Sequence, residues 1–472
     1  MRSTPPMGSL EATLQRRLAH RESQGRLRHL EIPKAALVDF SSNDYLSLSR
    51  DLVVRDALAA YLNRPDQEHS PVSSNGRLIG SGGSRLLDGN SVFVEQLERK
   101  IANFHASEAA LLFNSAYDAN VGLISSVPGA GDVILYDNLI HASIHDGMRL
   151  SRATRKVPFA HSSVIRHTRE RNPELGGVDV SEPDGLEPTL KQLIHGDQQV
   201  RTGSSNVFIC IEALYSMDGD IVDLEYVSNV INSLLPKGNG YIIVDEAHSI
   251  GVLGDGGRGL VCQLGLQDRV FARVVGFGKA MGCAGGAIVC SSIVRHYLIN
   301  YARTLIYTTA MSFPSLASID TAYEYLITGK AEERRRQLKI LIQHCHVKLK
   351  AISERLRPTA AALRVPEGQL NSPIIPLFTR YPRDLARHCQ SSGFMIRPIV
   401  APTVPRGQDR VRICLHGTNT IEQIDALCQA IETWLRRLEK TQHTETKKIS
   451  QAGVVTEQRM QAVLPETTKA KL

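Results

Sequence analysis

The sequence predicts an α/β protein, with a large domain on a mostly parallel sheet followed by a smaller α+β domain. Between residues 110 and 290, short and nearly continuous apolar runs alternate with helical stretches. That is the pattern of strands covered on both faces. Beyond Pro314 the character changes to a long amphipathic helix and then further short strands. A chain of 472 residues can bury one large core and a smaller one. The expected division is an N-terminal segment over 1–45, a large domain over 46–310, a small domain over 311–440 and a disordered tail over 441–472.

Taken in order, the first forty residues are basic and amphipathic and lead into a strand that turns over 38–46. A helix is expected over 91–104, because Val94, Leu97, Ile101 and Phe104 share one stripe. Strands are expected at 110–113, 133–135, 207–211, 241–244, 274–277 and 287–290. Between 161 and 206 the chain is rich in proline, glycine and charge, with one short helix near Leu190, which reads as an elaborated surface connection. The small domain offers strands at 374–378, 394–397 and 411–415, then a helix over 421–438. No internal repeat is present.

Composition narrows the function classes. A hydrophobic content of 42% with 22% charged residues is that of an ordinary soluble globular protein. The formal charge of +7 is spread along the chain, which suits anionic small molecules and gives no basic arm for nucleic acid. Arg334, Arg335 and Arg336 are flanked by Glu332 and Glu333 and read as a solvated helix face. The eight cysteines form no CxxC pair, so reduced, buried thiols are expected. His344-Cys345-His346 is no metal motif, since adjacent helical residues point in different directions. No apolar run reaches the eighteen or so residues that cross a bilayer, so no membrane is expected. The N-terminus lacks the apolar core of a secretory signal. The chain closes Ala470-Lys471-Leu472, a tripeptide of the kind a peroxisomal import receptor reads. Peroxisome is therefore the expected location, and cytoplasm otherwise.

Lys279 carries the chemistry. It lies in Gly278-Lys279-Ala280, after one strand run, in apolar and glycine-rich surroundings that lower an amine's pKa and let a planar ring approach. Asp245 closes another strand run, where α/β sheets place ligands. A lysine to hold a carbonyl cofactor, with a carboxylate to keep a pyridine nitrogen protonated, points to pyridoxal phosphate. His248 follows Asp245 at a distance that lets a tight turn aim it at the same ring. Asp245-Glu246-Ala247-His248 also matches a helicase box, but that reading requires a GxxxxGK[ST] loop, and the sequence has none. Ala116 and Tyr117 open a helix after the 110–113 strand, and backbone amides there suit a phosphate. His141 and His145 stand four apart without a HExxH context, so His141 is expected to stack on an aromatic ring. No metal is expected.

With these residues assembled, the chain resembles the α-oxoamine synthases, fold-type I pyridoxal-phosphate enzymes that join an amino acid to an acyl-CoA. The resemblance runs from about Asp39 to Leu438. It rests on FSSNDYLSL (40–48), GSGGSRLLDGNS (80–91), YSMDGDIVDL (215–224), VDEAHSIGVLGDGGRG (244–259), FGKAMGCAGGAIV (277–289) and PTVP (402–405). It is strongest to the branch that condenses L-alanine with pimeloyl-CoA and releases CoA and CO2 in biotin synthesis; other branches use glycine, serine or other acyl thioesters. It implies that Lys279 bears the cofactor, His141 stacks on it and Asp245 holds its nitrogen, while His248 and Ser216 hold its hydroxyl. It further implies Ala116 and Tyr117 at the phosphate, joined by Thr308 or Thr309 of a neighbouring subunit, hence a homodimer. Arg26, Asn43 and Thr403 would meet substrate. The chain departs from the family at three positions: Ala116 replaces a glycine, Gly276 a threonine and Val400 an arginine. Arg397 is the expected substitute for that arginine in holding the amino-acid carboxylate.

Overall fold

The computed structural model describes residues 8–30, 32, 36–63, 79–165, 183–359, 361–366 and 371–461, with side chains up to 441. Strands are numbered in chain order: β1 (Val38–Asp39), β2 (Ala109–Phe113), β3 (Val133–Asp137), β4 (Arg155–Phe159), β5 (Val207–Glu212), β6 (Gly240–Asp245), β7 (Ala272–Gly276), β8 (Gly286–Cys290), β9 (Ile374–Phe378), β10 (Phe394–Met395), β11 (Arg397–Ile399) and β12 (Arg410–Cys414).

Seven strands form the main sheet in the order β2-β8-β7-β6-β5-β3-β4. β3 to β7 pair in parallel, and β8 runs antiparallel between β2 and β7. The apolar runs divide by strand period. Ile209, Ile211, Ile242 and Val244 face one core, with the helices Leu186–Gly196 and Leu224–Leu234. Phe208, Cys210, Ile243 and Val274 face another, with the helices Ala116–Ser126 and Ala142–Leu150. Each fully buried aliphatic side chain contributes about 1.5–3 kcal/mol, so both faces demand cover.

A third core joins Phe40 to Leu48, Phe277, the helix Phe313–Ile327 and the small domain. Phe313 meets Phe93 of the helix Val92–Phe104 edge-on, with ring centroids 5.4 Å apart. In the small domain β11, β12 and β9 form an antiparallel sheet. β1 pairs in parallel with β10, tying the start of the chain to this domain. The last helix runs Ile421–Gln461. It continues past Gln442, where the sequence pointed to an unstructured tail; no proline interrupts this stretch, which is dense in strong helix formers. Ala470-Lys471-Leu472 lies outside the described residues. Among the described residues no helix is long and apolar enough to cross a membrane.

Candidate active site

The parallel strands β3, β5 and β6 end in Asp137, Glu212 and Asp245, with Glu212 and Asp245 in direct register. All three acids are buried. They line the carboxyl edge of the sheet, where α/β proteins bind ligands. Lys279 reaches this edge from the turn joining β7 to β8. That turn is closed by bonds from Phe277 N to Gly285 O at 3.0 Å and from Gly282 N to Lys279 O at 2.9 Å. Phe277, Ala280 and Met281 anchor it in the core.

Electrostatics prepare the lysine. Burial pulls its amine below the usual lysine range, Arg412 adds to the effect, and Asp245 and Glu212 oppose it. Burial and then the charge of Asp245 push the Glu212 carboxyl well above its ordinary range, against the pull of Lys279. Asp245 accepts from Ala247 N through Oδ1 at 2.9 Å and from Asn120 Nδ2 through Oδ2 at 2.7 Å. Its neighbour Glu246 points away and accepts from Val261 N at 3.0 Å, so only the first acid of the pair serves the cleft.

Two histidines flank these groups. His141 caps the helix Ala142–Leu150, and its Nδ1 accepts from Ser143 N at 3.3 Å. Burial and the Lys279 charge lower its pKa against the pull of Asp245. His248 is buried and held well below the imidazole range, first by burial and then by the charges of Lys279 and Arg412. Its Nδ1 lies 2.8 Å from the Tyr45 hydroxyl. With Tyr45 as the donor to Nδ1, the ring Nε2–H is left to donate toward the cleft.

A cradle suited to phosphate lies at the other end. Ser115 caps the helix Ala116–Ser126 by accepting from Asp118 N at 3.0 Å. Among the described residues no acceptor takes the amides of Ala116 and Tyr117. Two unpaired N–H groups at the start of a helix attract an anion. Asn114 donates to Thr308 Oγ1 at 3.2 Å, which puts Thr308 beside the cradle within the same chain. The departures at Ala116 and Gly276 prove to be neighbours: a Cβ on Gly276 would lie 3.3 Å from the Ala116 methyl and 2.8 Å from that of Ala247. A side chain at 276 and the methyl at 116 would thus press on each other.

Of the remaining expected residues, Asn43 and Ser216 join the site. Asn43 Oδ1 and the Ser216 carbonyl both accept from Arg412, at 3.1 and 2.8 Å. Arg412 and Tyr45 escaped the sequence reading, as did Asn120 and Ser143. Arg397 is the cross-strand partner of Arg412, so both side chains leave the same face of the β11–β12 pair. Like charges so placed repel and match a carboxylate held between them. Arg26 donates to Gln24 at 3.0 Å, and no described bond links it to the cleft. Thr403 is exposed and bonded through its backbone to Val400 O at 3.0 Å, again away from these side chains. His344 bonds Asp425 at 2.7 Å. Among the described residues no group of three or more His, Cys, Asp or Glu is placed to hold a metal.

A lysine with a lowered pKa, a carboxylate across from it, a donor histidine and a helix start with free amides make up the donor set that pyridoxal phosphate requires: imine carbon, ring nitrogen, ring hydroxyl and phosphate. The residues fit that group, and the fold and site define a pyridoxal-phosphate-type transferase. The chain belongs to the aminotransferase class I and II family, whose model matches residues 35–431. It is 46% identical over 431 residues to 8-amino-7-oxononanoate synthase of Emericella nidulans, covering 91% of this chain and 97% of that protein. It is 34% identical over 399 residues to aminoacyl transferase sphA of Aspergillus fumigatus, covering 83% and 79% respectively. In fold it matches serine palmitoyltransferase from S. paucimobilis with a TM-score of 0.72 at 21% identity, over 92% of this chain and 100% of that one.

Proposed function

We propose that this chain is a pyridoxal-phosphate-dependent acyltransferase that condenses L-alanine with pimeloyl-CoA to give 8-amino-7-oxononanoate, CoA and CO2, a step of biotin synthesis. The observation that carries the reading is Lys279, a buried amine of lowered pKa set among Asp245, Glu212 and Arg412, in a chain nearly half identical to a synthase of that name.

When bound, pyridoxal phosphate supplies an electron sink for negative charge at an amino acid's Cα. The chain's own residues supply the rest. Lys279 Nζ would hold the group covalently at rest and, once exchanged for the substrate amine, is the base placed to take the Cα proton and return one, a role that the lowering of its pKa by burial favours. Asp245 holds the ring nitrogen, its carboxylate fixed by Ala247 N and Asn120. His248 donates to the ring hydroxyl, and the amides of Ala116 and Tyr117 hold the phosphate. His141 stacks on the ring and presents Nε2–H toward the acyl carbonyl. Arg412, with Arg397 beside it, receives the amino-acid carboxylate in place of the arginine absent at Val400.

The enzyme acts as a homodimer. Supporting this, Ile79, Leu87 and Tyr307 are each more than 70% exposed, and the segment carrying Ile79 is tied by bonds from Ala310 N to Gly83 O and from Phe313 N to Ile79 O to the stretch that follows Thr308. An apolar surface of that kind marks an interface. Import into peroxisomes through Ala470-Lys471-Leu472 accords with the sequence of the last three residues.

A second reading keeps the cofactor and changes the substrates: glycine, serine or another amino acid joined to a different acyl thioester. The relative named aminoacyl transferase sphA and the missing arginine at Val400 favour weighing it. Pairing each amino acid with pimeloyl-CoA and with longer acyl-CoA thioesters, and measuring CoA release and product mass, decides the matter. The proposal expects alanine with pimeloyl-CoA to give the highest kcat/KM; a higher value for another pair would replace it.

A further inference from the structure

We propose that Asn120 and Ser143 are positioning residues, a relay that fixes the proton arrangement of His141 and Asp245 through a single amide. Its role in turnover rests on the pyridoxal-phosphate reading, but the proton arrangement itself does not.

The argument is one of donor counting. An asparagine amide nitrogen carries two hydrogens, and Asn120 Nδ2 spends both: on Asp245 Oδ2 at 2.7 Å and on Ser143 Oγ at 3.0 Å. A flipped amide would set its oxygen against the carboxylate, acceptor to acceptor, so Asp245 dictates the orientation. Ser143 Oγ accepts from Asn120, which leaves its own O–H for His141 Nδ1, 2.8 Å away. The backbone N–H of Ser143 points at the same nitrogen from 3.3 Å. With two donors on Nδ1, a neutral ring must carry its one proton on Nε2. The four groups therefore admit one arrangement, read from carboxylate to amide to hydroxyl to imidazole. His141 meets the cleft as a hydrogen-bond donor, suited to a thioester carbonyl and unsuited to act there as a base.

Asn120 Oδ1 supports a functional origin. It is buried with no hydrogen-bond partner, on a side chain only 1% exposed. Buried polar atoms are nearly always paired. A residue kept for stability would satisfy both ends of its amide; this one uses only its donors. Asn120 and Ser143 are themselves buried, on the facing helices Ala116–Ser126 and Ala142–Leu150.

The test is nitrogen NMR of histidine-labelled, full-length protein near neutral pH, before and after adding pyridoxal phosphate, with His141→Gln used to assign the signal. The relay predicts a neutral His141 protonated on Nε2, a measurement that needs no altered relay residue to fold. It also predicts that Asn120→Ala and Ser143→Ala each lower kcat on the order of tenfold with little change in KM for the amino acid. The double variant should lose no more than either single one, because all three break the same chain. A wild-type His141 protonated on Nδ1, or losses that multiply to roughly a hundredfold in the double variant, overturns the relay. The Nε2–H form in a protein that binds no pyridoxal phosphate upholds the relay while refuting the functional reading.

Discussion

Under the proposed function, Asp245→Asn isolates the charge that would face the cofactor. The substitution keeps the shape and replaces one carboxylate oxygen by an NH2 group. Asp245 now accepts two bonds, from Ala247 N at 2.9 Å and Asn120 Nδ2 at 2.7 Å. The new amide oxygen can accept only one of them, and its NH2 then faces either the fixed Ala247 N–H or an Asn120 amide that must flip to accept. A hydrogen bond to a charged group is worth about 1.5–3 kcal/mol net, and the protonated ring nitrogen loses its charged partner. At about 1.4 kcal/mol per tenfold, affinity for pyridoxal phosphate should fall roughly ten- to a hundredfold. Turnover at saturating cofactor should fall further, since a neutral partner no longer keeps the ring nitrogen protonated. Absorbance titration with pyridoxal phosphate measures the first effect and CoA release the second. Affinity and turnover both within about twofold of the unaltered chain would refute the placement of Asp245 at the ring nitrogen.

Gly286→Ala should disturb the cradle directly, because the added Cβ would lie 2.6 and 2.7 Å from the backbone N and Cα of Ala116. Overpacking of this kind costs about 1–3 kcal/mol, so denaturant midpoint and pyridoxal-phosphate affinity should fall together; loss of neither contradicts the packing. His161 is buried, and although burial disfavours its charge, Asp137 at 2.9 Å and then Asp220 hold its pKa well above the usual value. A raised folded-state pKa stabilises fully below the unfolded value near 6.5 and loses that contribution as pH rises through the folded value. His161→Gln should therefore destabilise by about 3 kcal/mol in mildly acidic buffer. The gap to the unaltered chain should shrink as pH becomes alkaline, and a gap that widened instead would reverse the assigned charge.

That Asp245 and Lys279 meet was legible in the sequence because both sit where strands end: an apolar run closing in Asp245, and another feeding the glycine-rich turn of Lys279. The sheet was legible for the same reason, since doubly covered strands read as unbroken apolar runs. What sequence could not give is register. Arg412 is one alternate residue of a strand until β12 is paired with β11, and only that pairing sets it beside Arg397. Ala116 and Gly276 read as two separate departures until a Cβ at 276 is seen to fall within 3.3 Å of the Ala116 methyl. The relay is more hidden still: Asn120 meets Ser143 and Asp245 across 23 and 125 residues of chain. Its one local sign was an asparagine one helical turn beyond Ala116, on the face that looks back at the cleft. The last helix was misjudged from its polarity, which a solvated helix shares with a disordered tail.

The most direct test is to load the full-length chain with pyridoxal phosphate, reduce it with borohydride and map the phosphopyridoxyl group by peptide mass. The label belongs on the peptide containing Lys279, and Lys279→Ala should abolish both label and turnover. A label fixed on a different lysine, or turnover that survives the substitution, would contradict the account at its root.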